Sequence, residues 1–455
     1  MKNKKMCYMP WAGVSNNPDG TVRPCCLFKD TIKDENGNDM YVQNHTLKEL
    51  FATKYMKDVR QKFRDGVEIP ECSTCWEDEK HGRKSKRQIF KNEVWPDLGV
   101  GKLDTDEEPT TPFDYQLIIS NSCNLKCRSC TPSHSSQWQL EHEKYHIDNG
   151  YPMPHGQAGT EESVLWKDRF EWYKTVKRIE VVGGEPMYIK QWHKIFDELI
   201  ELDYAKDIVL DMSTNANIFL EDKVRKWIEN FKRVGIGLSI DGMGPTYDYM
   251  RHLGKWDKVF ENMDRYHDLA KEYDGSHFDK IEFIDGEYYH NMKNHQFSCQ
   301  ISFTLSWLNA LELPKMIELV EHRYPHFKIW MNLVHYPDWM RLNVIPPEMK
   351  EFIESKWLYD DKGNKRNLGE HEQDILGYID FMNQPHVTEE TFKYFLAKNI
   401  FLDNWRGEDL FATIPEYEVF LNKYITEPTE AYSVINTIPI VEVGSVREED
   451  PFIYD

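Results

Sequence analysis

The run Cys123-Asn124-Leu125-Lys126-Cys127-Arg128-Ser129-Cys130 decides how the rest of the chain is read. It follows the apolar segment 113–119, where Tyr115, Leu117, Ile118 and Ile119 read as a buried strand. Three thiols spaced C-x3-C-x2-C on a loop after a strand can hold three corners of an iron–sulfur cube. The fourth iron is then left without a protein ligand. An open iron can bind a small molecule and pass it an electron. Three cysteines alone suit zinc poorly, because a closed structural zinc site wants four ligands. A zinc loop, or three unrelated thiols, is the plain alternative.

Three further turns fall at the ends of later strands. Gly183-Gly184-Glu185-Pro186 follows the β-rich run 178–182. Its glycines allow close backbone approach or positive φ, and Glu185 supplies an acceptor. Ser213-Thr214-Asn215 ends a third strand and Ser239-Ile240-Asp241-Gly242 a fourth. Each turn taken singly could be ordinary strand-end chemistry. Together with the cysteine loop they resemble the radical S-adenosylmethionine (SAM) superfamily. In that family the open iron chelates the amino and carboxylate groups of SAM. One electron cleaves SAM to methionine and a 5′-deoxyadenosyl radical, which abstracts hydrogen from a substrate. The resemblance implies a [4Fe-4S] cluster on Cys123, Cys127 and Cys130, and a SAM amino site at Gly183, Gly184, Glu185 and Pro186. It implies contacts to the SAM carboxylate and ribose at Ser213, Asn215, Ser239 and Asp241, with Arg251 as the nearby basic residue. The residue before the third cysteine is commonly aromatic in the family; here it is Ser129, so adenine must stack elsewhere or be held by backbone groups.

Upstream lies a second cysteine set: Cys7, the pair Cys25-Cys26, and Cys72-x2-Cys75. Asn17-Pro18-Asp19-Gly20 is a turn signal for a hairpin that would carry Cys7 back toward Cys25. The segment 47–64 has apolar residues at helical spacing and delivers Cys72 and Cys75. Four thiolates gathered this way make a closed metal site. The order resembles SPASM and twitch domains, which hold auxiliary clusters, and it looks like the shorter twitch form with one cluster. The resemblance implies a second [4Fe-4S] cluster on Cys7, Cys25, Cys72 and Cys75, placed before the radical motif where relatives place it after. Zinc is the open alternative here, and so is Cys26 in place of Cys25, with Cys25 favoured. The basic run 81–87 reads as a solvated helix face, or else as a docking surface for an acidic electron donor or a phosphorylated substrate. The Pro-punctuated segment 104–112 reads as a linker.

From 113 to 334 strands alternate with helices in six units, which predicts a parallel sheet buried on both faces. The expected fold is α/β: a partial (β/α)6 TIM-like barrel at 113–340, with a small Cys-rich metal-binding domain at 1–100. An acidic, mostly helical region at 341–455 completes it. Its site would lie at the strands' C-terminal ends. Two insertions, 141–166 and 274–295, read as loops that could cover the site; His142, His146 and His155 are read there as solvated. His335 and Tyr336 follow the sixth strand and are substrate-contact candidates. Cys299 opens the fifth strand and reads as a buried thiol. The segment 434–443 could add an edge strand.

With 40% hydrophobic and 13% aromatic residues the chain is globular. No apolar stretch approaches a membrane span, and no signal peptide is expected, so the chain reads as cytoplasmic. Its nine cysteines then read as metal ligands more readily than as disulfides. The net charge of −21 is unevenly spread. Residues 1–99 hold 18 Lys and Arg against 15 Asp and Glu, a balance of +3, whereas residues 341–455 hold 11 against 23, a balance of −12. The acidic end argues against a nucleic-acid surface and reads as an aid to solubility. The resemblance implies a flavodoxin- or ferredoxin-type electron donor and a peptide, protein or small polar metabolite as substrate. The rival class is a non-catalytic iron–sulfur or zinc protein.

Overall fold

The computed structural model describes residues 5–80, 84–95, 98, 103–145, 158–273, 279–284, 287–291, 296–384 and 387–425. Its strands are β1 (Gly13–Asn16), β2 (Val22–Arg23), β3 (Asp114–Leu117), β4 (Arg178–Val181), β5 (Val209–Thr214) and β6 (Arg233–Ser239). They continue with β7 (Asp279–Ile284), β8 (Glu287–Asn291), β9 (Phe297–Leu305) and β10 (Phe327–Leu333). The main sheet runs β10-β9-β6-β5-β4-β3-β1-β2. The six expected strands, β3, β4, β5, β6, β9 and β10, are all parallel to their neighbours. The sheet is wider than expected, because β1 adds in parallel to β3 with Gly13 opposite Asp114. The cysteine-rich N-terminus therefore shares the barrel's sheet. β2 closes the edge antiparallel to β1 across the 17–20 turn, where Gly20 has φ +92°. β7 and β8 pair as a separate hairpin in the second insertion.

The expectation of strands buried on both faces does not hold. Helices cover one face, and the other is polar. Gln116, Glu180, Asp211, Gly235 and Ser298 stand side by side in one register row. Above it, Ser213, Gly237 and Gln300 form a second row. The alternate residues, Ile179, Leu210, Ile236 and Ile301 among them, are fully buried. The helix Lys190–Glu201 turns Trp192, Ile195, Phe196 and Leu199 into this apolar layer. Each such side chain stabilises the fold by about 1.5–3 kcal/mol.

The single helix expected over 47–64 is two, Leu47–Phe51 and Lys54–Arg64. The Thr53 hydroxyl accepts from the Met56 backbone N–H and caps the second, so the chain breaks where a capping residue interrupts the apolar period. The segment 104–112 is anchored rather than a free linker: Glu108 pairs with both Arg60 and Arg64. A second apolar core, with Trp11, Phe63, Phe90 and Trp95, includes Val209 from the polar face of β5. The N-terminal residues thus cover the lower part of that face. Residue 141 does not open a loop, because the helix Ser136–Tyr145 runs through Glu141 and His142. His146, His155 and the segment 434–443 lie outside the described residues.

The acidic region supplies the expected helices Pro347–Leu358, Glu372–Asn383 and Glu389–Arg406. They belong to the barrel's own core: the Trp357 indole donates to the Ala310 carbonyl (2.8 Å) and the Tyr417 hydroxyl to the Trp307 carbonyl (2.7 Å).

Candidate functional site

The loop 123–130 leaves β3 and is held on several sides. The Lys126 and Arg128 backbone N–H groups donate to the His252 and Met250 carbonyls at the end of the helix Gly244–Met250 (3.2 and 2.8 Å). The Trp138 indole donates to the Cys127 carbonyl (2.6 Å), and Ser135 Oγ to the Leu125 carbonyl (2.6 Å). Cys123 is buried; Cys127 and Cys130 are half-buried. Burial pushes all three thiols up, Cys123 to about 12, while the Arg251 guanidinium pulls Cys127 back down. Arg251 Nη1 lies 3.7 Å from Cys127 Sγ, and Nη2 pairs with Asp241 Oδ2 at 2.7 Å. Arg251 Nε is buried with no hydrogen-bond partner among the described residues.

The turn 183–186 docks on this loop. Gly183 and Gly184 have φ +79° and +60°. A Cβ at Gly184 would lie 2.5 Å from the Ser122 carbonyl oxygen, and one at Gly183 would lie 2.6 Å from Ile118 Cγ2. Both reasons expected for the glycines, close approach and positive φ, therefore apply at both positions. Glu185 is buried beside Pro186, and its carboxylate is already engaged. It accepts from the Met187 N–H (3.0 Å), the Thr214 hydroxyl (2.7 Å) and the Asn215 N–H (2.7 Å). Its first role is to brace the turn against the end of β5. Asn215 in turn donates to Asn124 Oδ1 at 2.8 Å, which closes the contact back to the cysteine loop.

Asp241 is fully buried and also accepts from the Thr304 N–H at 2.9 Å. Ser213 is exposed and Ser239 half-buried on the polar face. Cys123, Cys127, Cys130, Glu185, Asn215, Asp241 and Arg251 are thus brought together at the C-terminal end of the sheet. His335 and Tyr336 follow β10 at the same end and are exposed, His335 packing against Phe381 with ring centroids 6.2 Å apart.

The other cysteines meet in the N-terminal region. Cys7, Cys25, Cys72 and Cys75 line one cavity whose other walls include Met9, Phe28, Phe63 and Trp76. Cys26 is not among its walls; Lys86 Nζ donates to its sulfur at 2.9 Å. Burial raises the Cys7 thiol to about 12 and lifts Cys25, Cys72 and Cys75 as well. Within the basic run Lys84 is exposed, but Lys86 and Arg87 are half-buried and engaged rather than part of a solvated face. Lys86 also pairs with Glu180 of β4 at 3.7 Å, and Arg87 binds Glu79 and stacks over Trp76 at 4.6 Å.

Sequence reasoning missed Lys126, Arg128, Glu141 and Arg406, all of which surround the cysteine loop. Two cations inside the motif and an acidic cluster at 403–409 were the available signal.

The sequence model of the radical SAM superfamily matches residues 117–294, and that of the SPASM iron–sulfur cluster-binding domain matches residues 7–76. The chain carries a radical SAM domain. Its auxiliary iron–sulfur domain is N-terminal, ahead of the radical SAM domain. Over 132 residues it is 24% identical to GTP 3′,8-cyclase of Campylobacter lari, covering 28% of this chain and about a third (34%) of that relative. Among solved structures it is similar to anSMEcpe with bound AdoMet (18% identity, TM-score 0.35, 53% of this chain and 57% of that one). It is also similar to Streptococcus suis SuiB bound to precursor peptide SuiA (12%, TM-score 0.27, 75% and 69%).

The residues of this radical SAM protein fit the cofactors of its family. Three thiols that resist ionisation need a cationic centre, and a cluster supplies one. The unpartnered Arg251 Nε beside Cys127 suits a carboxylate such as that of SAM.

Proposed function

We propose that the protein is an enzyme that reductively cleaves SAM and abstracts hydrogen from a polar substrate held against the inner face of its sheet. The observation that carries this reading is the convergence of Cys123, Cys127 and Cys130 with the Glu185-braced turn and the Asp241–Arg251 pair at the mouth of a polar wall. When bound, the cluster and SAM would supply the electron and the 5′-deoxyadenosyl radical. The chain's own part is positioning. Cys123, Cys127 and Cys130 would hold the cluster at three corners. Backbone groups of Gly183 and Gly184, brought close by the missing Cβ atoms, would face the SAM amino group, and Arg251 its carboxylate. Ser213, Asn215, Ser239 and Asp241 frame the ribose side. Ser213, Gln300 and Ser302 surround the space above Gly237, where a Cβ would sit 2.9 Å from Ser302 Oγ. Hydroxyl and amide groups there would orient a substrate rich in hydrogen-bonding groups. A peptide or protein segment is the favoured class and a small polar metabolite the alternative, with His335 and Tyr336 at the rim as contacts.

Cys7, Cys25, Cys72 and Cys75 would hold a second [4Fe-4S] cluster, which could accept the electron left on a substrate radical. The working partner would be a flavodoxin- or ferredoxin-type donor in the cytoplasm. Among the described residues no helix is long and apolar enough to cross a membrane. Incubating reduced protein and SAM with deuterated cell extract tests the reading. Deuterium should enter 5′-deoxyadenosine, and 5′-deoxyadenosine that forms without deuterium from any fraction would sink the hydrogen-abstraction claim.

A further inference from the structure

The segment after β10 carries a cation that the chain leaves without an acceptor. Asp338–Met340 forms one helical turn at the site end of the sheet, and Arg341 follows it. The turn is held firmly: the Trp307 indole, just past β9, donates to the Trp339 carbonyl at 2.9 Å, and the Arg341 backbone N–H donates to the Asp338 carbonyl at 3.0 Å. The Arg341 side chain is only 15% exposed. It lies 5.6 Å over the ring of Phe381, which packs in turn against His335 at the rim. Its guanidinium donates no hydrogen bond among the described residues, and Nε is buried without one. Asp338 Oδ1 is 4.0 Å from Nη1, beyond hydrogen-bond reach, and its side chain is 48% exposed to water.

Lys398 brings a second cation to the same carboxylate. It lies on the helix Glu389–Arg406, which packs on the turn Asp338–Met340. Lys398 is half-buried, and its ammonium makes no hydrogen bond or ion pair among the described residues. Burial lowers Arg341 and pulls Lys398 down to about 8, and Asp338, which opposes burial at both, does not offset it. Lys29 of the N-terminal region is lowered too, first by burial and also by the Arg341 charge. Other buried arginines are matched by acids: Arg178 meets Asp114, Glu180 and Asp211, and Arg128 meets Asp403 and Glu408. A half-buried guanidinium without acceptors is a donor fork ready for an oxyanion.

We propose that Arg341, with Lys398 as the second cation, anchors an oxyanion group of the substrate, a carboxylate or a phosphate ester, at the mouth of the barrel. This rests on the reading of the barrel as a site of hydrogen abstraction and names what its substrate must carry. Both cations lie outside the two domain matches, which end at residue 294. An unpaired half-buried cation destabilises the free protein, so a folding role does not account for the pair. Held at its charged end, the substrate would present its C–H bonds to the wall of Ser213, Gln300 and Ser302 in a fixed orientation.

The test uses the full chain, reconstituted without oxygen, as wild type, Arg341→Gln and Lys398→Gln. The unfolding midpoint is read in chloride, inorganic phosphate and succinate at matched ionic strength. Phosphate or succinate should raise the wild-type midpoint above its value in chloride, and the affinity drawn from its concentration dependence should fall about tenfold in each variant. In chloride both variants should unfold at or above the wild-type midpoint, because each removes an uncompensated charge. A larger response to succinate names a carboxylate, and a larger response to phosphate names a phosphate ester. With deuterated cell extract, Arg341→Gln should lower about tenfold the share of 5′-deoxyadenosine that carries deuterium. Phosphate and succinate acting no better than chloride, an anion response kept in both variants, a lower midpoint for both in chloride, or an unchanged deuterium share would each overturn the proposal. If the wild type transferred no deuterium at all, the hydrogen-abstraction reading would fail by itself, and the midpoints would still report on the anion site.

Discussion

The loop 123–130 and the cavity of Cys7, Cys25, Cys72 and Cys75 both gather buried and half-buried thiols, in contrasting surroundings. The first offers three sulfurs at the mouth of a polar wall, with Arg251 beside Cys127 and hydroxyl and amide groups below. The second offers four, walled by Met9, Phe28, Phe63 and Trp76, with the nearby Lys86 and Arg87 engaged by Cys26, Glu180 and Glu79. Three thiols among polar groups leave a coordination position and partners for a bound molecule. Four thiols among apolar groups close their centre and leave it electron transfer or a structural role. Position on the sheet follows the same division. The first site lies at the strands' C-terminal ends, where α/β folds place reactive groups. The second precedes β1 and follows β2, at the opposite end.

Removing the closed site should have the largest effect short of abolishing the chemistry. Anaerobically purified protein should hold roughly eight irons per chain as two cubes. Cys72→Ala with Cys75→Ala should lower this to roughly four, spare uncoupled SAM cleavage and abolish product. Four irons with one tightly held zinc in the wild type would instead make the N-terminal site structural.

The open site can be loosened without touching a thiol. Gly184→Ala places a Cβ at positive φ against the Ser122 carbonyl and should cost at least about 1–2 kcal/mol from the backbone alone. SAM affinity measured by calorimetry should fall with it, while iron at the closed site stays unchanged. A wild-type SAM affinity would show that this turn does not shape the ligand site.

Glu185→Gln replaces an acceptor of three hydrogen bonds with a group that must turn N–H toward one of the donors. The expected loss is about 1.5–3 kcal/mol of unfolding free energy, with SAM binding weakened as a consequence. Weaker SAM binding at unchanged stability would sharpen the picture differently, showing that the carboxylate itself contacts the ligand. The smallest effect is expected on the closed side. Thr53→Ala removes the cap of the helix that carries Phe63 to the cavity and should cost about 1 kcal/mol by denaturant titration, with no loss of iron.

The six parallel strands, their order along the chain and the placement of 183–186, 213–215 and 239–242 at strand ends were legible, because apolar runs and glycine-rich turns are local signals. Of the pair Cys25-Cys26, only Cys25 lines the four-thiol cavity. The polar inner face was written in the sequence but read over. β6 and β9 alternate apolar with polar or glycine residues, as in Gln300-Ile301-Ser302-Phe303-Thr304-Leu305, and β5 and β10 do so over part of their length. Period two in a parallel strand means that helices cover only one face. Two features had no local signal. The pairing of β1 with β3 joins residues about a hundred positions apart, and the contacts of Arg128 with Asp403 and of Arg406 with Glu141 span still more of the chain. A buried arginine looks like any surface arginine until its carboxylates, here Asp403 and Glu408, are seen around it.

The central claim is that Cys123, Cys127 and Cys130 form the centre at which SAM is cleaved. The direct measurement is 5′-deoxyadenosine produced from SAM and a strong reductant by the anaerobically reconstituted full chain, wild type beside Cys127→Ala. The account predicts steady formation by the wild type and none above background for the variant, which should retain the iron of the N-terminal site. Equal rates for the two proteins, or no 5′-deoxyadenosine from an iron-loaded wild type, would contradict it.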